Sequence, residues 1–344
     1  MERSPIGQEE IEKAFSWLNQ YWGRPLKPLY YSPKTIEEAL SLLENYRGEA
    51  KLIAGGIDLI GLMKNKVVFP KVLINLKKID SLKYIKENEN GIDIGPLCLI
   101  HDISQSTIIK ESLPMLSELS RSIASPQIRN MATIAGNLCQ DVRCWYYRRS
   151  KSTGISFNCL RKKGNKCFAI NGENEYHAIF GEGGCVAVCP SDFATGLTAL
   201  DGEIQTITPR GERKIPISQF YTVFGHILEP DEIITNIHIP KTDPSAKHRY
   251  IKFRQRRAID FSIVNVYTII SIYEDVIKRA RIVIGGVAPI PYRAIYAEKI
   301  LEGEKLTKNL LEEVADTSVK EAIPLKKNSY KVSIVRALVK RSLI

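Results

Sequence analysis

Six of the seven cysteines in this 344-residue chain (Cys139, Cys144, Cys159, Cys167, Cys185 and Cys189) lie within about fifty residues, and only Cys98 stands apart. The residues between them are polar or basic and keep no helical or strand period, so the stretch reads as a long loop. A loop of that length without a core of its own needs another organiser. The chain begins Met-Glu-Arg-Ser, with no apolar signal segment, so a cytoplasmic, reducing setting is expected. There, clustered thiols bind metal or carry chemistry more often than they form disulfides. The spacing is C-x4-C-x14-C-x7-C-x17-C-x3-C. Cys185–Cys189 comes near a zinc-type pair, and the repeated C-x2-C of bacterial ferredoxins is absent. The neighbouring cations Arg148, Arg149, Lys151, Arg161, Lys162 and Lys163 suit thiolate ligands and would lower thiol pKa values. The bland alternative is six small buried hydrophobes.

At about 150 residues per domain, the length suggests two domains. Hydrophobic residues make up 44% and charged residues 25%, which excludes disordered, collagen-like and coiled-coil chains. The net charge of +11 is spread out, without a block of like charges. It implies weak attraction to anions and no nucleic-acid partner. No apolar run approaches the roughly 18 residues of a membrane span.

Local signals mix helix and strand. Thr35 and Glu38 form a capping-box pattern before the helical stripe Ile36, Ala39, Leu40, Leu43 and Tyr46, with Gly48 as the stop. Leu52–Ala54 and Val72–Leu76 read as buried strands. Tyr84–Lys86 and Ile92–Ile94 flank Asn90-Gly91, a hairpin signal. Leu113, Leu116, Leu119 and Ile123 mark a second amphipathic helix. Thr198–Leu200, Ile204–Ile207 and Ile233–Pro240 read as strands, and Lys241–Lys247 reads as a linker. Beyond it come strands at Ile263–Tyr273 and Ala280–Val287, then helices at Leu310–Lys320 and Val332–Leu343.

Two joints point to a ligand. Ile53-Ala54-Gly55-Gly56-Ile57-Asp58-Leu59 reads as a strand end, a tight turn and a helix start. Glycines let backbone N–H groups approach phosphate oxygens, and a helix start adds its positive dipole end. Such a pair also closes plain turns, and the Rossmann GxGxxG is absent. The second joint, Ile128–Leu138, has small residues with Thr133 and Asn137 side chains. It reads equally as a turn closing a helix. Two such joints in one domain favour a shared anionic ligand.

Taken together, these segments resemble the FAD-binding medium subunits of molybdenum hydroxylases, the carbon monoxide dehydrogenase and xanthine dehydrogenase family. Ala54–Leu59 matches the family's AGGTDL, with Ile57 replacing Thr at a cost of about 1 kcal/mol for one lost hydrogen bond. Gln127–Asn137 matches QIRN-x-ATIGGN, with Ala135 replacing Gly. Pro190–Ala194 resembles its SD-x-AP segment, with Thr195 replacing Pro. Lys252 to Arg256 resembles K-x-x-x-R, and Ile284–Pro289 resembles a C-terminal-domain signature. The resemblance implies an α+β protein, in which a two-subdomain FAD-binding fold of the vanillyl-alcohol-oxidase/PCMH type spans 24–243. A smaller α+β domain with a three-stranded sheet and helices spans 244–344, and 1–23 is an N-terminal extension. It implies FAD at Ile53, Ala54, Gly55, Gly56, Ile57, Asp58, Leu59, Ile100, His101, Thr133, Ala135, Gly136, Asn137, Asp192 and Lys252. The charge of Lys252 is expected to favour reduced flavin.

Most members lack cysteines after the second joint. The beta subunit of 4-hydroxybenzoyl-CoA reductase carries an inserted 4Fe–4S loop there, and Asn137–Tyr147 and Cys159–Cys167 resemble that branch. The implied ligands within the 139–189 loop are Cys144, Cys159, Cys167 and Cys185. Cys189 is the alternative to Cys185, and Cys139 packs at the flavin loop. The resemblance further implies an oxidoreductase subunit that moves electrons and holds no acid–base catalyst. Its partners would be a large molybdenum-cofactor subunit and a small subunit with two 2Fe–2S clusters, in a dimer of heterotrimers. Ferredoxin would be the donor and an aromatic acyl-CoA the substrate. The alternatives are an FAD subunit of a xanthine, aldehyde or carbon monoxide dehydrogenase without a functional cluster, a stand-alone flavin oxidase, and a zinc-stabilised binding protein. His177, His226, His238 and His248 read as ordinary structural histidines.

Overall fold

The computed structural model describes residues 28–149, 156–181 and 183–344. The extension expected over 1–23 lies outside the described residues, as do Ser150 and Lys151 of the basic run. A parallel sheet comes first, ordered β1 (Leu29–Tyr31), β3 (Val72–Asn75), β2 (Ala50–Ile53). The helix Ile36–Asn45 starts as its sequence dictates, with Thr35 Oγ1 accepting from Glu38 N at 3.2 Å. The return bond of the box falls one residue early, from Lys34 N to Glu38 Oε2 at 2.7 Å. Ala39 and Leu43 then pack on Val72 and Ile74 of the sheet.

An antiparallel five-stranded sheet follows, ordered β4 (Ile85–Asn88), β5 (Gly91–Ile94), β10 (Ile233–Pro240), β6 (Glu203–Thr208), β7 (Gly211–Pro216). β4 and β5 form the expected hairpin, and β10 is the expected strand in the centre. A two-residue ribbon, β8 (Tyr221–Thr222) with β9 (Gly225–His226), lies between. Thr198–Leu200 does not form a strand: Asp192–Ala199 is a helix, buried at every position. Ser191 caps it by accepting from Ala194 N. A short segment buried all round carries no periodicity, so the β-branched Thr198 misleads.

The C-terminal part is an antiparallel sheet of β11 (Lys247–Phe253), β12 (Val264–Tyr273), β13 (Val276–Gly285) and β14 (Tyr292–Arg293). Three strands are long and the fourth is a two-residue edge, a small addition to the expected three. β11 takes the end of the segment read as linker, because its basic, half-exposed residues hide the strand pattern. Helices Ile295–Leu301, Lys308–Thr317 and Tyr330–Ser342 cover the sheet. Tyr267 and Val283 of this sheet also enter the core of the five-stranded half, through the helix Asp192–Ala199.

Candidate functional site

The two joints meet. A Cβ on Gly55 would sit 2.0 Å from Met131 O and 3.1 Å from Ala132 Cα, so only glycine lets the first joint lie against the second. Gly56 has φ +70°, left-handed geometry that glycine adopts freely. Among the described residues, the backbone amides of Gly55, Gly56 and Ile57 donate to no protein group. Thr133 caps the turn Ile134–Leu138, its Oγ1 accepting from Gly136 N at 3.2 Å. Ile100 N donates to Ala132 O at 2.9 Å, which holds the Ile100-His101 turn beside the second joint. The Ile100 side chain is fully buried, so it faces the core. Ile53 ends β2, while Ala54, Ile57, Leu59 and Ala135 remain partly exposed along the joints.

Asn137 Oδ1 accepts from Ser191 Oγ at 2.7 Å, linking the second joint to Asp192. The buried carboxylate of Asp192 accepts from Lys252 Nζ (2.6 Å), Ser262 Oγ (2.5 Å) and Asn265 Nδ2 (2.7 Å). Lys252 therefore compensates Asp192 instead of offering a free charge to a ligand. Asp192, Ser262, Ile263 and Asn265 line a cavity of about 310 Å³ together with Arg143, Cys144, Trp145, Tyr176 and His177. That volume falls within the range of small-molecule sites. Asn265 leaves its Oδ1 without a partner. The free amides at the first joint suit phosphate oxygens, and the cavity, which none of the residues of the two joints borders, is of a size for a small-molecule ring.

Asp58 is turned elsewhere. Its carboxylate pairs with Arg143 (2.9 Å) and Arg148 (2.6 Å) and accepts from Asp141 N (2.7 Å), which fastens the first joint to the cysteine loop.

The cysteine loop has a small core of its own, in which Val142, Tyr147, Cys159, Cys185 and Ala187 pack with Leu62. Cys144 precedes the helical turn Trp145–Arg148, whose Tyr146 and Tyr147 amides approach its sulfur. Gly164 N bonds Cys159 O at 2.9 Å, and Cys159 bridges to Lys166. This tight turn returns Cys167 beside Cys159. A Cβ on Gly164 would lie 1.8 Å from Asn158 O. Cys144, Cys159, Cys167 and Cys185 line one small cavity, separate from the larger one except that Cys144 and Ala187 border both. Cys189 instead packs in the core of the five-stranded half, with Cys139 against it. Burial pushes both of those thiols up to about 12. Among the described residues, no three His, Cys, Asp or Glu side chains stand close enough to hold a single metal ion.

The expected lowering of thiol pKa does not occur at Cys144, which burial pushes up to about 11. The neighbouring cations are occupied: Arg148 with Asp58, and Arg161 with Asp141 and the carbonyls of Val223 and Phe224. Arg161 Nε still reaches Cys185 Sγ at 3.4 Å. His177, given an ordinary role above, places Nε2 at 3.3 Å from Cys144 Sγ. Burial and the charge of Lys331 push it down to about 4. Lys331 was missed altogether. It is fully buried and donates to Tyr176 O, His177 O and Gly286 O at 3.0, 3.0 and 2.8 Å. The one sequence signal for His177 is its place between Cys167 and Cys185; nothing local marks Lys331.

Residues 23–242 match the family described as FAD binding domain in molybdopterin dehydrogenase, and residues 249–344 match CO dehydrogenase flavoprotein C-terminal domain. The chain belongs to the FAD-binding medium subunits of the molybdenum hydroxylases. This medium subunit is 33% identical over 296 residues to the aldehyde oxidoreductase FAD-binding subunit PaoB of Escherichia coli, covering 83% of this chain and 88% of that one. It is 25% identical over 319 residues to the carbon monoxide dehydrogenase medium chain of Hydrogenophaga pseudoflava, covering 91% and 95%. Its fold matches a carbon monoxide dehydrogenase structure from that organism with a TM-score of 0.74 at 24% identity, covering 92% and 96%. It is thus a subunit of an oxidoreductase, and FAD is its cofactor. No helix among the described residues is long and apolar enough to cross a membrane.

Proposed function

We propose that this medium subunit relays electrons between FAD and a 4Fe–4S cluster on Cys144, Cys159, Cys167 and Cys185, within an aldehyde-, xanthine- or carbon monoxide dehydrogenase-type complex. The observation that carries the cluster is the convergence of these four thiols on one cavity, while Cys98 and Cys189 pack in the core of the five-stranded half, Cys189 also bordering the larger cavity, and Cys139 packs against that core. A cuboidal cluster keeps its four thiolates apart, each on its own iron. The four thiols share a small cavity, and among the described residues no three such side chains close on a single ion. Arg161 at Cys185 and His177 at Cys144 offer donors to two of the sulfurs.

Bound FAD supplies exchange of electrons in ones and twos, which suits it to join one-electron clusters to a two-electron reaction. The chain's own part is to hold and shield. The amides of Gly55, Gly56 and Ile57 would hold the phosphates. Asp192, fixed by Lys252, Ser262 and Asn265, presents its edge to the larger cavity. Trp145 and Tyr176 line that cavity. The names of the relatives, medium chain and FAD-binding subunit, support partners of the molybdenum-cofactor and 2Fe–2S kinds. The dehydrogenase in the second of these names favours substrate oxidation, in which electrons would arrive from the molybdenum subunit. Ferredoxin as donor and an aromatic acyl-CoA as substrate rest on the resemblance of the cysteine loop alone.

The test is the complex purified without oxygen, wild type against Cys167→Ser. The wild type should hold about eight iron per heterotrimer, and the variant about four, with FAD retained in both. About four iron in both would leave a medium subunit with FAD and no cluster.

A further inference from the structure

His177 stands where the two cavities share a wall. Cys144 borders both cavities, and His177 lines the larger one with its Nε2 turned to Cys144 Sγ at 3.3 Å. The histidine is 4% exposed and is held from several sides. Its amide donates to Asn174 O at 3.0 Å. Its carbonyl accepts from Lys331 Nζ at 3.0 Å and from Asn328 Nδ2 at 3.1 Å. Its ring leans on Trp145 and Tyr146. An imidazole fixed this way has one described partner for its ring nitrogens, the Cys144 sulfur, since Nδ1 is buried without one.

We propose that His177 is a positioning residue for electron transfer: its Nε2–H donates to the Cys144 thiolate and sets the reduction potential of the cluster at the corner facing the larger cavity. The inference rests on the cluster reading above. A metal-bound thiolate can only accept, so the proton must sit on Nε2, which leaves Nδ1 bare. A reduced cluster puts more negative charge on its sulfurs, and a donor then binds more strongly. The hydrogen bond therefore favours reduction and raises the potential. Three of the groups that hold the histidine, Asn174, Asn328 and Lys331, are themselves buried, so the donor cannot swing away when the charge changes.

The experiment is a redox titration of the purified complex followed by the electron-spin signal of the cluster, comparing wild type, His177→Phe and His177→Gln. Iron, sulfide and flavin are assayed in each. His177→Phe keeps a flat ring without a donor and should bias the cluster about tenfold toward its oxidised form, a fall of about 59 mV for one electron. His177→Gln can again offer an N–H and should recover most of that fall, while the flavin potential stays constant in all three. An unchanged potential in a fully loaded His177→Phe overturns this inference alone. A wild type without the four additional irons overturns it together with the cluster reading. Should His177→Phe fail to hold its cluster, His177→Leu takes its place, and the same shift or its absence decides.

Discussion

Asp192→Ala should cost about 3–5 kcal/mol of folding stability, because it leaves a buried ammonium without its counter-charge. The side chains of Lys252 and Asp192 are 4% and 7% exposed and 2.6 Å apart, so solvent screens the pair little. The substitution also removes the acceptor for Ser262 and Asn265. Among the described residues, Lys252 then keeps Ser122 O as its acceptor, at 3.2 Å. Most of the cost lies in the stranded charge, not in the lost attraction, so removing the charge as well should restore stability. The double variant Asp192→Ala/Lys252→Met is expected to regain about 2 kcal/mol or more over Asp192→Ala, although it carries one more core change. Urea unfolding of the full chain, followed by circular dichroism, measures both values. A double variant as unstable as the sum of the two single ones would refute the reasoning.

Gly55→Ala places a methyl against Met131 O and should abolish most FAD binding, at a cost of about 1–3 kcal/mol in strain. Gly61→Ala, in open space on the next helix, should leave flavin absorbance per chain unchanged. Burial pushes Lys331 down to about 7, against three carbonyl acceptors. Its unfolded value is about 10.4, so the unfolded chain binds more protons between pH 7 and 10. Wild-type stability should therefore rise relative to Lys331→Met across that window, and a flat difference in denaturation midpoints would contradict it. Burial pushes Cys98 to about 11, and Cys139 and Cys189 to about 12. At pH 8 at most about one molecule in a thousand carries the reactive thiolate. Iodoacetamide should leave all three unlabelled by mass spectrometry until the chain is unfolded.

Local chemistry was legible wherever it decides the structure. Thr35 and Glu38 announce their helix, Asn90-Gly91 its hairpin, and the alternation of Ile233–Ile239 a strand. The close approach of the glycine joints was legible because only a backbone without Cβ permits their contact. The resemblance supplied the four cysteines that share a cavity, which spacing alone had left open. What stayed hidden depends on residues far apart in the chain. Asp58 reads as a flavin residue, yet its charge is spent on Arg148, 90 positions on. His177 meets Cys144 across 33 positions, and Lys331 meets His177 across 154. The basic run around the cysteines promised low thiol pKa values, but at Cys144 burial outweighs the cations.

The clamp on the cysteine loop bears on how the protein is born. Asn174 and His177 are fixed by Lys327, Asn328 and Lys331, residues that leave the ribosome about 150 positions later. At roughly 5–20 residues per second, that is a delay of about 8–30 s. Through that interval the nascent chain holds all its cysteines but lacks the groups that fix the wall beside Cys144. On the cluster reading proposed above, insertion of iron into a finished pocket would wait for the C-terminal sheet and the helix Tyr330–Ser342 to fold, a late event in the chain's maturation.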